Sequence, residues 1–205
     1  MKIIEAFCCC NVGRIRRNNE DNFYFDGKFL PQTNNGAVGI LSAKVADSDS
    51  PLFCVFDGMG GEAAGEVASY VSAFSTDKYI KKIKIQNERE FLDKLCHYLN
   101  DKVYRESAKY ALGRMGSTIA SVLFRHNSIF ICNVGDSRVY SFKNKKLSRL
   151  SVDDIELLPA GSKHKPRLIQ NLGLDPSEIL IEPNISSREI SKGEQFIICS
   201  DGLTD

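Results

Sequence analysis

Histidine is scarce in this chain, which has three histidines, His97, His126 and His164, among 205 residues. They stand in helix-like, turn-like and loop-like surroundings and lack the close spacing of zinc ligands. No Gly-x-Ser-x-Gly turn is present that would carry the nucleophile of a serine hydrolase. The sequence therefore argues against zinc chemistry and against a Ser-His-Asp enzyme.

Long apolar runs and paired cysteines are also missing. No stretch approaches the ~20 apolar residues that a membrane-spanning helix needs, and the N-terminal residues do not have the pattern of a signal peptide. Seven cysteines occur without a Cys-x-x-Cys pair, which favours a reducing compartment over a disulfide framework. We therefore predict a cytoplasmic protein with no membrane partner.

Charge of neither sign is in excess, because 27 basic and 26 acidic residues give a net charge of +1. With no basic tail or patch of note, we expect no nucleic-acid partner. The length suits one domain, residues 1–205, that can bury roughly 70% of its unfolded surface. Strands, then two helices, then more strands are typical of antiparallel sheets covered by helices.

The expected elements follow the periodicity of the apolar residues. Helical spacing predicts helices over residues 62–83 and 88–110. The segment 153–183 is broken by proline and glycine and is expected to be irregular. Strands are predicted at residues 3–10, 22–25, 37–41, 52–56, 117–124, 128–134, 138–142, 146–150 and 196–199, those from 117 to 150 forming one antiparallel meander.

Three acidic pieces at predicted strand ends carry the candidate chemistry. Asp57 follows a buried strand and opens a glycine-rich loop that starts with Gly58, where backbone and ligand can approach closely. Glu20 and Asp21 lie in GRIRRNNEDN, and Asp201 follows the last predicted strand in FIICSDGLTD. We expect the three pieces to converge into one metal site.

Oxygen ligands without His or Cys partners favour Mg²⁺ or Mn²⁺. Two such ions a few ångströms apart can share a bridging water, lower its pKa and clamp a phosphate. Arg16, five residues before Asp21, can offer a guanidinium fork to the phosphate oxygens. A nucleotide-binding loop is not indicated, because Glu62-Ala63-Ala64 stands where such a loop has Lys and Ser or Thr.

Five segments resemble successive motifs of the metal-dependent (PPM, type 2C) protein serine/threonine phosphatases, in their bacterial branch. They are GRIRRNNEDN, FDGMGGEAAGEVAS, GSTIASVLF, NVGDSRVY and GEQFIICSDGLTD. The resemblance implies an α+β fold, a four-layer α-β-β-α sandwich of two antiparallel β-sheets flanked by helices. It also implies a signalling hydrolase with two Mn²⁺ or Mg²⁺ ions. Such an enzyme removes phosphate from phosphoserine or phosphothreonine by attack of a metal-bridging water, and so opposes a Ser/Thr kinase.

The resemblance further implies roles for individual residues. Asp57 would bridge both ions, and Asp21 would be a ligand or hold a metal-bound water. Arg16 would bind the substrate phosphate, which makes Arg16 and Asp57 the expected catalytic residues. Asp136 in the GDSR segment would be a supporting residue at the floor of the site, or else an ordinary turn residue. The implied metal ligands are Glu20, Asp21, Asp57, Gly58 and Asp201.

The chain also departs from the family pattern. Met59 stands where some relatives carry a His as general acid, so protonation of the leaving group would fall to a metal-bound water. Asp153-Asp154-Ile155 replaces the usual Asp-His-Ser at the start of a compressed flap, residues 153–171, so substrate gating is expected to differ.

The family's last helix, last strand and final metal-ligating Asp are expected to be absent from residues 1–205. The alternative function is therefore a catalytically impaired phosphatase-like module that binds phosphoprotein or another partner.

Overall fold

A computed structural model of the protein describes residues 2–60, 64–109, 115–159, 164 and 166–204. Its helices are α1, Gly65–Ile80, and α2, Glu88–Ser107, with short 3-10 turns at Asp47–Asp49 and Asp201–Leu203. The strands are β1 Ile3–Cys8, β2 Asp21–Phe25, β3 Leu41–Ala46, β4 Leu52–Gly60, β5 Met115–Ser117, β6 Ile119–Arg125, β7 Ser128–Val134, β8 Arg138–Lys143, β9 Lys146–Arg149, β10 Asn184–Glu189 and β11 Gln195–Cys199.

The largest sheet is antiparallel, in the order β10-β7-β6-β4-β2, with β5 paired to the end of β4. Side chains alternate between the two faces of a strand. Cys54 and Phe56 of β4 therefore pack against the helices, in a cluster that includes Leu92 and Leu99 of α2. Phe53 points to the opposite face and belongs to a second apolar cluster. The central strand is thus buried on both sides.

Two smaller antiparallel sheets, β1-β3 and β11-β8-β9, cover the face of the large sheet that lies away from the helices. Ala6, Val45, Val139 and Ile198 from these sheets pack into the second apolar cluster. The expected class, antiparallel sheets with flanking helices, is confirmed. Helices, large sheet and small sheets account for three of the four expected layers within the described residues.

The expectation of one meander from residue 117 to 150 is wrong. The hairpins β6-β7 and β8-β9 belong to different sheets, because the chain crosses from the large sheet to a small one at residues 135–137. Gly135 has φ +100°, and a Cβ there would lie 2.7 Å from Cγ2 of Thr118. Glycine is therefore required at the crossing, which places this turn against Thr118.

Several predicted boundaries also differ from the structure. The strand expected at 37–41 is wrong: β3 runs Leu41–Ala46, with alternate residues facing the core. Strand β10 was not expected, because this edge strand has a mostly polar sequence, NISSRE. Strand β4 continues through Gly60, where a loop was expected, because its last residues pair with β5.

The helices are shorter than predicted. Helix α1 is described from Gly65 and ends at Ile80 rather than 83, and Glu62 lies outside the described residues. Helix α2 begins at Glu88 because the Asn87 side chain caps it by accepting a 2.8 Å hydrogen bond from the Glu90 amide. It ends at Ser107, and Tyr110 is also outside the described part. Neither helix is long and apolar enough to cross a bilayer.

Leu99→Ala tests the core between α2 and the large sheet. Leu99 is fully buried, so the truncation is expected to lower the free energy of unfolding by about 2–5 kcal/mol. Leu180, which is 72% exposed, provides the control, and Leu180→Ala should change stability by about 0.5 kcal/mol or less. Urea unfolding of both variants measures the difference, and equal effects would contradict this description of the core.

Candidate active site

The pairing of β2 with β4 brings the first two acidic pieces together. Asp21 and Asp57 are directly opposite each other in this antiparallel ladder. The Gly58 amide donates a 3.1 Å hydrogen bond to the backbone carbonyl of Glu20. Glu20, Asp21, Asp57 and Gly58 therefore lie at one end of the large sheet, held there by backbone geometry.

The third acidic piece arrives from the end of β11, in the neighbouring sheet. The Ser200 hydroxyl donates a 2.7 Å hydrogen bond to Oδ2 of Asp21. The next residue, Asp201, shares a side-chain hydrogen bond with Asp57. The structure thus brings together Asp21, Asp57 and Asp201, although Asp201 lies 180 positions after Asp21 and 144 positions after Asp57 in the sequence.

Asp57 is at the centre of this acidic group. The pKa of Asp57 is raised to about 8, mainly by burial and also by the charges of Asp21 and Asp201, the hydrogen bond with Asp201 and the charge of Asp136. Burial also raises the pKa of Asp21, an effect that the Ser200 hydrogen bond opposes. Several carboxylates in one half-buried place repel one another, and a bound cation would relieve that repulsion.

The residues at this end of the sheet fit a hard divalent cation by their chemistry, since carboxylate and carbonyl oxygens are its preferred ligands. Among the described residues, no three His, Cys, Asp or Glu side chains are already arranged as a metal-ligand set. The contact between Asp57 and Asp201 is instead a hydrogen bond between the two carboxyl groups. The donor types fit, and the side chains would have to separate around an ion.

Glu20 and the Gly58 carbonyl face the same point at the start of α1. A Cβ on Gly65 would lie 2.7 Å from Oε1 of Glu20 and 2.8 Å from the Gly58 oxygen. Glycine is needed at this position because any side chain would displace one of these two oxygens. The pKa of Glu20 is raised, mainly by burial and also by the charge of Glu66.

Arg16 lies beside these acids on the loop before β2. Its NH1 is 4.0 Å from Oε2 of Glu20, and its side chain is 79% exposed. Its positive charge lowers the pKa of both Glu20 and Asp21. An exposed guanidinium at the rim of an acidic site is free to meet an anionic group of a substrate.

Sequence reasoning missed two hydroxyl residues that hold Asp57. The Asp57 amide donates a 3.0 Å hydrogen bond to Oγ1 of Thr118, and the Thr118 amide donates a 2.8 Å bond to the Asp57 carbonyl. Oγ1 of Thr118 is also 2.7 Å from Oγ of Ser137, and both residues are fully buried. Their place in the GST and GDSR segments was the available signal.

A further acid, Glu66, was also missed. It lies in the first turn of α1, near Glu20. Its Oε2 is buried and has no hydrogen-bond partner within the described part of the chain. An acid directly after the glycine-rich segment is the sequence feature that could have drawn attention to it.

Comparison with known proteins identifies the family. Residues 41–205 match the protein phosphatase 2C family. The chain belongs to that family. The serine/threonine phosphatase stp of Listeria monocytogenes serotype 4b is 30% identical over 211 residues, which cover 94% of this chain and 75% of that protein. The expected family and its enzyme class, protein serine/threonine phosphatase, are confirmed.

Other phosphatase 2C relatives agree with this assignment. The serine/threonine protein phosphatase PstP of Mycobacterium tuberculosis is 28% identical over 94% of this chain and 35% of its own length. A crystal structure of the M. tuberculosis phosphatase PstP/Ppp shares the fold with a TM-score of 0.73 at 24% identity, over 99% of this chain and 80% of that one. The catalytic domain of PstP in complex with two manganese ions gives a TM-score of 0.71 at 25% identity, over 98% of this chain and 79% of that one.

Gly58→Ala tests the close packing of this phosphatase 2C site. The new Cβ would lie 1.9 Å from the Gly65 carbonyl oxygen and 2.8 Å from that of Glu20. Both are backbone atoms, so we expect a loss of about 3 kcal/mol in the free energy of unfolding, at the upper end of overpacking costs.

Gly202→Ala is the matched control, because the nearest atom to a Cβ there is 3.7 Å away. Its effect should stay within about 0.5 kcal/mol. Chemical denaturation compares the two variants, and a Gly58→Ala protein as stable as the control would refute the packing described here.

Proposed function

We propose that this chain, acting as a single domain over residues 1–205, hydrolyses phosphoserine and phosphothreonine in protein substrates with the help of divalent metal ions. The observation that carries the proposal is the meeting of Asp21, Asp57 and Asp201 at one half-buried sheet end, where the pKa of Asp57 is raised to about 8. Such a concentration of acids is typical of a functional site. Membership of the phosphatase 2C family supports the same reaction.

The cofactors we propose are two Mn²⁺ or Mg²⁺ ions. The oxygen donors at the sheet end suit these ions, and the related PstP catalytic domain is known in complex with two manganese ions. When bound, such ions supply a water of lowered pKa and positive charge against the phosphate. The residues that would hold them are Glu20, Asp21, Asp57, Asp201 and the carbonyl of Gly58.

The chain's own residues then have separate tasks. Asp57 is the central carboxylate, and its peptide is fixed on both sides by Thr118. Asp21 is oriented by the Ser200 hydroxyl. Arg16 binds the phosphate of the substrate through its exposed guanidinium, which matches two phosphate oxygens in geometry and charge.

The partners follow from this reaction. The substrate is a phosphorylated protein, so the enzyme opposes a serine/threonine kinase, and we propose that it does so in the cytoplasm. The net charge of +1 supports a function without nucleic acid, and we propose no membrane partner.

A second function is a phosphatase-like module that binds a phosphoprotein without turning it over. One observation favours it: the acidic residues of the described chain are not arranged as a ready metal-ligand set. The two functions differ in a simple measurement, because the binding module would hold phosphopeptide without releasing phosphate.

Asp57→Ala tests the enzyme directly. We expect it to abolish both Mn²⁺ binding, measured by calorimetry, and Mn²⁺-dependent hydrolysis of p-nitrophenyl phosphate and a phosphothreonine peptide, since the central carboxylate is removed. The exposed Asp49 gives a matched control, and Asp49→Ala should leave both Mn²⁺ binding and hydrolysis unchanged.

Hydrolysis at the wild-type rate in Asp57→Ala would show that the site is wrongly assigned. A wild-type protein that binds phosphopeptide but releases no phosphate would favour the binding module.

Arg16→Ala separates substrate binding from metal binding. Loss of a charge-assisted hydrogen bond of about 1.5–3 kcal/mol should raise KM for the phosphothreonine peptide by roughly 10-fold to 100-fold. The Mn²⁺ affinity should change little, because Arg16 is not placed among the ligands. Arg14→Ala, on the same loop, is the control and should keep the wild-type KM. Equal KM values for the two variants would remove Arg16 from phosphate recognition.

A further inference from the structure

Four consecutive residues outside the sheets, 151–154, are each held by side-chain interactions. The Val139 amide donates a 3.0 Å bond to the Ser151 hydroxyl. The Asn133 side chain bonds to both the carbonyl and the amide of Val152. Arg138 and Arg149 lie 2.7 and 2.8 Å from Oδ2 of Asp153. A segment without strand pairing is thus fixed at every residue.

The last of the four, Asp154, makes the contacts that lead towards the site. Its side chain is buried, and Oδ2 accepts a 2.8 Å hydrogen bond from the Gly135 amide. Oδ1 accepts a 2.8 Å bond from Nδ2 of Asn184. Its own amide donates a 3.0 Å bond to the Gly135 carbonyl. Asp154 is therefore hydrogen-bonded to both the amide and the carbonyl of Gly135.

Gly135 opens the turn that faces Asp57. Ser137 of this turn has its hydroxyl 2.7 Å from that of Thr118, and Oγ1 of Thr118 accepts the Asp57 amide at 3.0 Å. Asp136, between them, is close enough for its charge to raise the pKa of Asp57. Asp154 is thus connected to Asp57 through its hydrogen bonds to Gly135, the short backbone segment 135–137, and the hydrogen bonds of Ser137 and Thr118.

Asp154 also takes part in a short backbone pairing with residues 167–169. The Ile169 amide donates a 2.9 Å bond to the Asp154 carbonyl, and the Glu156 amide donates a 2.9 Å bond to the carbonyl of Arg167. Ile155 and Leu168 form an antiparallel bridge between these two bonds. Residues 154–156 are therefore paired with residues 167–169, next to the turn at residues 135–137 to which Asp154 is hydrogen-bonded.

We propose that Asp154 is a positioning residue for the phosphatase site. By fixing the turn at residues 135–137, it lets the Ser137 and Thr118 hydroxyls hold the Asp57 peptide where the Asp57 carboxylate can take the metal ions. The paired residues 154–156 and 167–169 are thereby tied to the same support. The inference rests on the proposed function and adds a residue to it.

The contacts of Asp154 allow charge and hydrogen bonding to be separated. Asp154→Asn keeps one oxygen to accept from the Gly135 amide, and its new NH₂ group can face Asn184 if the Asn184 amide turns over. Asp154→Ala loses both acceptors. If Asp154 acts by positioning, the Asn variant should keep most of the function that the Ala variant loses.

The experiment measures Mn²⁺ affinity by calorimetry, together with thermal unfolding and kcat for a phosphothreonine peptide. Asp154→Ala should weaken Mn²⁺ binding by roughly 10-fold to 100-fold, as expected for a supporting residue behind metal ligands, and Asp154→Asn by less than about 3-fold on the same reasoning. The control is Glu194→Ala, which removes an acid that is 1% exposed and bonded to Arg188 and Ser141 at the far end of β11. It should lower stability but leave Mn²⁺ affinity unchanged.

A double variant tests whether Asp154 acts on Asp57 through Thr118. Asp154→Ala and Thr118→Val act on one series of hydrogen bonds, so their combined loss of Mn²⁺ affinity should be smaller than the product of the separate losses. Glu194→Ala, which should not change Mn²⁺ affinity by itself, should leave the loss caused by Thr118→Val the same in the combined variant. If Asp154→Ala does not fold, Ser137→Ala interrupts the same series and should weaken Mn²⁺ binding likewise.

Three results would overturn the proposal. One is an Asp154→Ala protein that is destabilised as much as Glu194→Ala but binds Mn²⁺ with wild-type affinity. Another is an equal loss in Asp154→Asn and Asp154→Ala, and the third is a double variant whose losses multiply. A wild-type protein that neither binds Mn²⁺ nor releases phosphate would instead refute the proposed function itself, and this inference with it.

Discussion

Asp21 and Asp57 face each other across the last pair of an antiparallel ladder, in a half-buried place where partial burial raises the pKa of both acids. Their mutual repulsion is unfavourable for folding, yet the backbone pairing of β2 with β4 gives neither of them another position. Asp201 is then brought in from a second sheet, with Ser200 bonded to Asp21. The site exists because the ends of two sheets meet at this point, and the second apolar cluster, which includes residues of both sheets, holds the sheets together.

Backbone groups, more than side chains, define the site. Gly58 and Gly65 allow β4 and the start of α1 to approach until a Cβ on either would collide with a carbonyl or with Glu20. Gly135 allows the turn at the sheet crossing to rest on Thr118. Thr118 in turn bonds to the amide and the carbonyl of Asp57. The carboxylate of Asp57 is therefore positioned through its backbone amide and carbonyl, and Asp201 is the side chain to which it is hydrogen-bonded.

Local sequence pattern was sufficient for the acids and insufficient for their support. Asp57 and Asp201 could be found because each directly follows a strand with an evident apolar pattern. The supporting roles of Thr118, Ser137 and Asp154 could not be assigned, because hydroxyl and carboxylate groups that bond to backbone look like turn residues until the sheets are assembled. The crossing between sheets at residues 135–137 was not predicted for the same reason. The sequence shows that a turn is present, but it does not show which sheet the next strand joins. The polar edge strand β10 carries no periodic signal at all.

The proposed metal site would link metal binding to folding through the electrostatics of Asp57. Its folded-state pKa of about 8 lies above the ordinary value of 3.8, so the ion-free fold favours the protonated acid. Without a cation, this residue's contribution to stability is present at low pH and is lost as the pH rises from about 4 towards about 8. A divalent cation reverses that balance, because it favours the ionised carboxylates that the fold has placed together. On the proposed ligand assignment, the ions would stabilise the fold as well as take part in the reaction, and residues that position Asp57 would affect both.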